Sequence, residues 1–181
     1  MARKSPVAIV LFVVIAVPTA ILLIAHRFAG YTAGLLVGQE LPAGQLLSLN
    51  GRPVDTCSWK GKPTLLVLYQ STCHACEREL EGLSAVAPSL PEVRVVLLAL
   101  DAAAPRIQTR FPVFADPSGE FLRKVRKLIV PTLYLLDADS RVIYVRSGQR
   151  SPEAEFATLT RLLADAYRGS RPRVQSGRLS E

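Results

Sequence analysis

The chain has 181 residues, a formal net charge of +7 and an apolar content of 49%. This length allows one domain of ordinary size with a buried core and argues against a second domain. The basic residues are dispersed and no aromatic residues are interleaved with them, which argues against nucleic-acid binding. Three cysteines are too few for a scaffold held together by disulfides.

An uncharged apolar stretch runs from Val7 to Ala25. A helix of this length roughly matches the ~30 Å hydrocarbon core of a bilayer, so we expect residues 7–25 to be a transmembrane anchor. Arg3 and Lys4 precede it, and the positive-inside rule therefore predicts a cytoplasmic N-terminus at residues 1–6 and an extracytoplasmic location, on the periplasmic side, for the rest. A cleaved signal peptide is the alternative, but the stretch exceeds the usual h-region of about 7–15 residues and lacks a clean small-x-small cleavage site.

Strand and helix patterns alternate after a linker at residues 26–40, and they predict one domain over residues 41–168. The unbroken apolar run Thr64–Tyr69 is typical of a strand covered on both faces. The order of elements predicts an α/β domain of three layers, with helices on both sides of a mixed sheet. The basic tail 169–181 has few apolar residues and is predicted to be disordered. Further strands are predicted at Leu46–Leu49, Val93–Leu100, Val113–Phe114, Thr132–Leu136 and Val142–Val145, and helices at Cys73–Ala87, Glu120–Leu128 and Pro152–Arg168.

Two of the cysteines form a C-x-x-C pair, Cys73-His74-Ala75-Cys76, directly after the buried strand and at the first turn of a helix. A helix N-terminus has unpaired N–H groups and about half a positive charge, and both stabilise the thiolate that attacks in thiol–disulfide exchange. One helical turn separates the two cysteines, so a disulfide between them is feasible, with Cys73 as the exposed attacker and Cys76 as the buried resolving thiol. A protonated His74 favours the thiolate further, which makes it a candidate tuning residue. Ser71 or Thr72 is the expected N-cap.

Two other interpretations of the pair stay open. It could be a purely structural disulfide, or half of a zinc site. The histidines are His26, beside the apolar stretch, and His74, within the motif, while Cys57 is a third potential ligand. Because no fourth ligand is evident, we predict no metal site. Cys57 itself is more typical of a small buried hydrophobe than of a redox partner.

Short motifs in a characteristic order carry a family resemblance between about Val37 and Arg168. The motifs are Val37–Pro42, Leu49-Asn50-Gly51, Gly61-Lys62-Pro63, the C-x-x-C pair, Phe114–Gly119, Val130-Pro131-Thr132 and Gly148. In this order and spacing the chain resembles the TlpA-like and ResA-like thioredoxin proteins. Thr72 and Ala75 stand where tryptophan and proline are common in that family, and the segment around Thr72 is also similar to the anchored thioredoxin-like proteins of the MauD type.

The resemblance implies a thioredoxin-like fold in which the peptide bond before Pro131 is cis and lies opposite the cysteine pair. It implies that Val130, Pro131 and Thr132 bind an extended substrate segment, which pairs with their backbone as an added strand. It also implies that Glu79, three residues after Cys76, helps to move protons during exchange. Judged from the residues alone, Glu79 could equally be one more charge on the solvent face of a helix.

These observations predict a membrane-anchored thiol–disulfide oxidoreductase that acts on extracytoplasmic protein substrates and exchanges electrons with a membrane thiol–disulfide protein. By resemblance, cytochrome c maturation is its context, or the maturation of another secreted enzyme. No bound cofactor is needed, since Cys73 and Cys76 carry the electrons. The alternatives are a peroxiredoxin-like peroxidase, although Gln70 stands where a threonine would be expected, and a non-catalytic membrane-bound binding module with a structural disulfide.

Overall fold

The computed structural model describes residues 14–24, 34–106, 108–125 and 129–169. Residues 14–24 are helical and belong to a first helix, α1. Within the described ranges, no helix is both long enough and apolar enough to span a bilayer. The predicted anchor at residues 7–25 lies partly outside these ranges, as does nearly all of the predicted disordered tail at 169–181.

Strands and helices follow one another along the domain much as the hydrophobic pattern predicts. Thr64–Tyr69 is a strand with every residue buried, as expected for an apolar run without interruption. The strands are β1 (Gln45–Ser48), β2 (Pro53–Asp55), β3 (Thr64–Tyr69), β4 (Arg94–Ala99), β5 (Val113–Ala115), β6 (Thr132–Leu136) and β7 (Val142–Ser147). The helices are α2 (His74–Val86), α3 (Glu120–Val125) and α4 (Pro152–Gly169), with 3₁₀ turns at Thr56–Trp59 and Ala87–Ser89.

All seven strands form one mixed sheet in the order β2-β1-β5-β4-β3-β6-β7. β3 lies in its interior, parallel to β4 and antiparallel to β6. β4 and β5 are also parallel, whereas β1, β2 and β7 join antiparallel to their neighbours. β2 forms one edge, has three residues and begins with Pro53. The mixed sheet of the predicted α/β class is therefore confirmed.

Alternate residues of β3 point into two separate apolar layers, because successive strand side chains face opposite sides of a sheet. Leu65 and Val67 face a cluster that includes Leu80, Leu83 and Leu159 of α2 and α4. On the other side, Leu66 and Leu68 face a cluster that includes Trp59, Phe114 and Phe121. Helices thus cover both faces, and α2 and α4 share one of them.

The packed unit begins before Leu41, inside the range predicted as linker. Leu35 is buried, and its N–H donates to the Tyr134 hydroxyl at 3.2 Å. The N–H of Gly38 donates to the carbonyl of Val142 at 2.8 Å. An isolated bridge between Glu40 and Arg141 continues this contact along the start of β7.

Candidate active site

Cys73 is the N-cap of α2, at the point where the loop that leaves β3 enters the helix. Its backbone is extended (φ −92°, ψ 104°), and its Sγ accepts a hydrogen bond from the N–H of Cys76 at 3.1 Å. The prediction that the helix starts at Cys73 behind a Ser71 or Thr72 cap is therefore wrong by one residue, because the sulfur itself occupies the capping position. A helix N–H directed at sulfur stabilises negative charge there, as a nucleophilic thiolate requires.

The two thiols of the pair differ strongly in burial. Cys73 is partly exposed, whereas Cys76 is 1% exposed and belongs to the apolar cluster beneath α2. Burial is the main cause that raises the pKa of Cys76 to about 12, and the neighbouring Cys73 thiol and the charge of Glu79 act in the same direction. An accessible thiol thus lies in front of a protected one.

Asp101 fixes the loop that carries Cys73, and the sequence gives no direct sign of this role. Its Oδ2 accepts hydrogen bonds from the Ser71 N–H at 2.9 Å and from the Ser71 hydroxyl at 2.6 Å. Burial opposes ionisation, yet these bonds outweigh it and lower the pKa of Asp101. Asp101 directly follows the apolar run of β4, and polar residues at the ends of neighbouring parallel strands meet at one sheet edge. That position is the signal by which it could have been found.

The His74 side chain is exposed and pairs with a carboxylate. Its side chain is 77% exposed, and its Nδ1 lies 3.0 Å from Oε2 of Glu77, one turn further along α2. The tuning role predicted for His74 rests on an effect upon the Cys73 thiolate. Glu77 supplies a competing negative partner for any positive charge on the imidazole ring.

Glu79 is buried and paired, so it is not one more charge on a solvent face. It is 4% exposed, and its Oε1 lies 2.5 Å from Nη2 of Arg146 on β7. Its Oε2 accepts a hydrogen bond from the backbone N–H of Arg150 at 3.3 Å. A second buried carboxylate, Glu155 of α4, lies 2.9 Å from Nε of the same Arg146. Burial is the main cause that raises the pKa of Glu155, while Arg146 opposes the rise and Glu79 adds to it.

Sequence reasoning missed both Arg146 and Glu155, and in each case the apolar pattern contained the signal. Glu155 precedes Leu159 of the apolar stripe of α4 by four residues, which places both on one helix face. Arg146 pairs with the fully buried Leu133 across the antiparallel ladder, two residues after Tyr144. A charge at a core position of a helix and another at a core position of a strand indicate a buried ion pair.

The Val130–Pro131 peptide bond is cis, as the resemblance implies. Val130 and Cys73 both pack against the apolar cluster beneath α2, so the two segments lie on the same side of the sheet. Thr132 is fully buried, and its hydroxyl donates to the Ile129 carbonyl at 2.5 Å and lies 2.9 Å from the Ser147 hydroxyl. A substrate contact by the Thr132 side chain is therefore not supported, because that side chain is enclosed between β6 and β7.

Cys57 lies apart from the pair, in the 3₁₀ turn that follows β2, and it is exposed. The expectation of a small buried hydrophobe is wrong because Thr56 and Trp59 are the residues of this turn that face the core. Across the described ranges, no three His, Cys, Asp or Glu side chains are grouped as a metal site requires. Cys57 is accordingly not brought together with Cys73 and Cys76.

A mixed sheet flanked by helices, with a C-x-x-C pair at the start of a helix and a cis-proline directly before β6, defines the thioredoxin-like class. The chain belongs to the AhpC/TSA family, whose model matches residues 37–145.

Relatives of known function and solved structures agree with this class. The chain is 29% identical over 126 residues to the thiol-disulfide oxidoreductase ResA of Bacillus thuringiensis subsp. konkukian, which covers 65% of this chain and 73% of the relative. ResA of Geobacillus kaustophilus is 25% identical over 153 residues, or 75% of this chain and 88% of the relative. These relatives identify a ResA-like protein, and the chain is an oxidoreductase of that kind.

Among solved structures, a protein proposed to be the thiol:disulfide interchange protein DsbE of Chlorobium tepidum superposes with a TM-score of 0.61 at 23% identity, over 74% of this chain and 99% of that one. This likeness shows the fold. DsbF of MTB (Mycobacterium tuberculosis), solved in mixed oxidised and reduced forms, gives a TM-score of 0.55 at 27% identity, over 66% of this chain and 94% of that one.

Proposed function

We propose that the chain exchanges disulfides with extracytoplasmic protein substrates through Cys73 and Cys76. The observation that carries the proposal is the arrangement of the two thiols. Cys73 is partly exposed and its sulfur accepts a helix N–H, while Cys76 is buried one turn behind it. This arrangement suits an attacking thiol and a resolving thiol, since attack needs access and resolution needs only proximity.

In the reducing direction, the Cys73 thiolate attacks a substrate disulfide, and one substrate sulfur leaves as a thiolate. The resulting mixed disulfide is resolved when the Cys76 sulfur, having lost its proton, attacks Cys73 and releases the second substrate thiolate. The pair thereby passes two electrons to the substrate and becomes a disulfide. A membrane thiol–disulfide protein restores the dithiol by the same steps in reverse.

The buried thiol of Cys76 needs a group that accepts its proton, since its pKa is about 12. Glu79 is the group that we assign to this step, because it is buried on the same helix one turn beyond Cys76. The substrate is proposed to dock as an extended segment along Val130 and Pro131, beside Cys73.

The proposed location is outside the cytoplasm, with residues 7–25 as a retained anchor and residues 1–6 on the cytoplasmic side. Maturation of cytochrome c, or of another secreted enzyme, is the proposed context. The uncharged stretch and its preceding basic residues support this topology. Several structural relatives fit such a location, among them a disulfide oxidoreductase of Mycobacterium tuberculosis described as secreted and an exposed lipoprotein thioredoxin of Streptococcus pneumoniae.

Trapping of mixed disulfides tests the division of labour between the two thiols. In a Cys57→Ser background, Cys76→Ser should accumulate mixed disulfides with a model protein disulfide, whereas Cys73→Ser should accumulate none. Equal trapping by both variants would contradict the assigned roles.

The reduction potential of the pair, measured on the 181-residue chain in mild detergent, then gives the direction of electron flow. A strongly negative potential indicates a reductase, and a much higher one indicates an oxidase or isomerase.

The exposed Cys57 provides a handle for the proposed topology. In a Cys73→Ser/Cys76→Ser chain, a membrane-impermeant maleimide should label Cys57 in intact cells to the same extent as in permeabilised cells. Labelling that requires permeabilisation would place the domain in the cytoplasm and overturn the proposed location. A cytoplasmic protein with an exposed cysteine serves as the control for intact membranes.

The peroxidase alternative makes a separate prediction. A peroxiredoxin-like enzyme would consume hydrogen peroxide with a thiol donor far faster than free cysteine does. We expect no such acceleration, because Gln70 occupies the position three residues before Cys73. Rapid peroxide consumption that is lost in Cys73→Ser would replace the proposed function.

A further inference from the structure

One turn beyond Cys76 on α2, Glu79 shares one guanidinium group with a second buried carboxyl group, and its charge acts on Cys76. Glu79 and Glu155 are 4% and 1% exposed, and they lie 2.5 Å and 2.9 Å from different nitrogens of Arg146, whose side chain is 11% exposed. If both carboxyl groups were ionised, the cluster would carry a net charge of −1 away from solvent. Two carboxylates forced together in this way bind a proton more readily than either would alone.

The two carboxyl groups are not equivalent in their hydrogen bonds. Glu79 receives bonds from Arg146 and from the Arg150 backbone, so its negative charge is well supported. The contact between Glu155 and Arg146 lacks hydrogen-bond geometry, and within the described ranges neither oxygen of Glu155 has a hydrogen-bond partner. A buried carboxylate without hydrogen bonds is costly, and a proton removes that cost.

A small cavity connects the two groups. Glu79 and Glu155 both line a cavity of about 10 Å³, close to the room that one water molecule needs. The other charged groups that line it are Arg78 of α2 and Arg150 after β7, whose side chains are largely exposed to solvent. Their charge is therefore screened, and Arg146 remains the main positive charge that acts on the buried pair.

We propose that Glu79 and Glu155 hold one shared proton and exchange it with Cys76, so that Glu155 is a positioning residue that acts through Glu79. This inference rests on the proposed function and adds to it the source and destination of the proton. Glu79 and Arg146 alone would form an ion pair with no net charge. Glu155 supplies the second negative charge that makes proton binding favourable.

The proton then moves in step with the electrons. When a donor thiolate attacks Cys73 in the oxidised pair, the Cys73–Cys76 bond breaks and its electron pair stays on the Cys76 sulfur. The shared proton moves to that sulfur and leaves both carboxylates ionised beside Arg146. When the reduced pair later resolves a substrate mixed disulfide, Cys76 returns the proton to the carboxylates and its sulfur bonds to Cys73.

The test compares Glu155→Gln with Glu153→Gln, an exposed residue in the same turn of α4. Both variants of the 181-residue chain are oxidised, and the rate of reduction by dithiothreitol is measured from about pH 5.5 to 8.5 and corrected for the thiolate fraction of the reagent. In the wild type we expect the corrected rate to fall as the shared proton is lost. At the acid end Glu155→Gln should be reduced about tenfold more slowly than the wild type, and its rate should lack this fall with pH, because Glu79 without its second carboxylate no longer holds the proton for Cys76.

A measurement on the wild type guards against a variant that fails to fold. Carbon-13 NMR of the glutamate carboxyl groups should show one resonance whose titration gives a pKa well above the ordinary glutamate pKa of about 4.3. The Glu153→Gln chain should retain this resonance. The proposal is overturned if both variants follow the wild-type pH profile, or if every wild-type carboxyl group titrates in the ordinary range. A wild-type disulfide that dithiothreitol reduces no faster than it reduces oxidised glutathione would instead overturn the proposed function.

Discussion

A single turn of helix separates two thiols that meet very different surroundings. Cys73 caps α2 from outside, whereas Cys76 points into the apolar cluster between α2, α4 and the sheet. The helix N-terminus supplies an N–H to the first sulfur, and burial withholds water from the second. The chemical asymmetry of the motif therefore arises from where each residue lies in the fold, since the two residues are chemically identical.

Alkylation of the folded, reduced chain should be confined to two of the three cysteines. At about pH 8, a thiol with a pKa of about 12 is ionised to roughly one part in ten thousand. We therefore expect iodoacetamide to modify Cys73 and the exposed Cys57 and to spare Cys76, as read by peptide mass spectrometry. All three should react once the chain is unfolded in guanidinium chloride. Modification of Cys76 at the rate of Cys73 in the folded chain would contradict the burial described for it.

His74→Ala should change the reduction potential only slightly. The imidazole is 77% exposed and lies beside Glu77, and an exposed ion pair contributes at most about 1 kcal/mol, or about 20 mV for a two-electron couple. Equilibration of the pair in glutathione buffers measures this shift. Glu77→Gln tests the competing partner, since the histidine then lacks its carboxylate. A shift far above 20 mV in His74→Ala would establish His74 as the tuning residue.

The residues of the site divide into those that the sequence could reveal and those that it could not. Cys73 and Cys76 follow from their spacing behind an apolar strand, and the family resemblance supplies Pro131. Arg146 lies 67 residues from Glu79, and both meet Glu155 only because α4 packs beside α2 on one side of the sheet. The apolar pattern marks Arg146 and Glu155 as charges at core positions, but which charges pair with one another depends on topology, and no local pattern contains that.

At the scale of elements, the contact between α2 and α4 holds the two buried carboxylates in place. Gly82 of α2 faces Pro152, the first residue of α4, and a Cβ atom built on Gly82 would lie 2.7 Å from Pro152 Cγ. Glycine thus permits an approach that any larger residue would prevent. The close approach brings Glu155, three residues into α4, over the same face of α2 as Glu79.

Gly82→Ala should destabilise the chain by about 1–2 kcal/mol, although alanine favours a helix by about 1 kcal/mol over glycine. The cost arises because the new methyl group overlaps the Pro152 ring. In a Pro152→Ala background, this cost should fall by at least about 1 kcal/mol. Urea unfolding of the four chains of this cycle gives the coupling free energy. Additive effects would show that the overlap is relieved elsewhere.

The elements themselves were predictable where apolar runs were long, and their ends were not. Thr64–Tyr69 and Thr132–Leu136 match the predicted strands residue for residue, because a strand buried on both faces appears in the sequence as a run without charged residues. The start of α2 differs from the prediction because a cysteine served as N-cap in place of a serine or threonine. The position of a helix end depends on individual hydrogen bonds. The sequence indicates these bonds less clearly than it indicates which face of the helix is buried.

At the scale of the whole molecule, the sheet is most firmly held at its centre. β3 is paired on both sides and its side chains are almost completely buried. β1 and β2 are joined to the rest of the sheet through two paired positions between β1 and β5. Opening of the sheet should therefore start at the β2 side and reach β3 last.

Hydrogen exchange of the native chain should reproduce this order. We expect the amides of β3, β4 and β6 to exchange slowest, at rates set by global unfolding, and those of β1 and β2 to exchange at least about a hundredfold faster through local opening. Peptide-level mass spectrometry resolves the two groups. Equal protection of β1 and β3 would show that the sheet opens as a single unit.

The short edge strand β2 has a consequence for how copies of the protein behave when crowded. An unpaired edge exposes a row of N–H and C=O groups to which a foreign strand can add, and this is a common route to aggregation. Pro53 has no N–H to offer, and β2 ends after three residues. This side of the sheet is therefore a poor template for strand addition, so crowding of many copies does not readily lead to aggregation through β2.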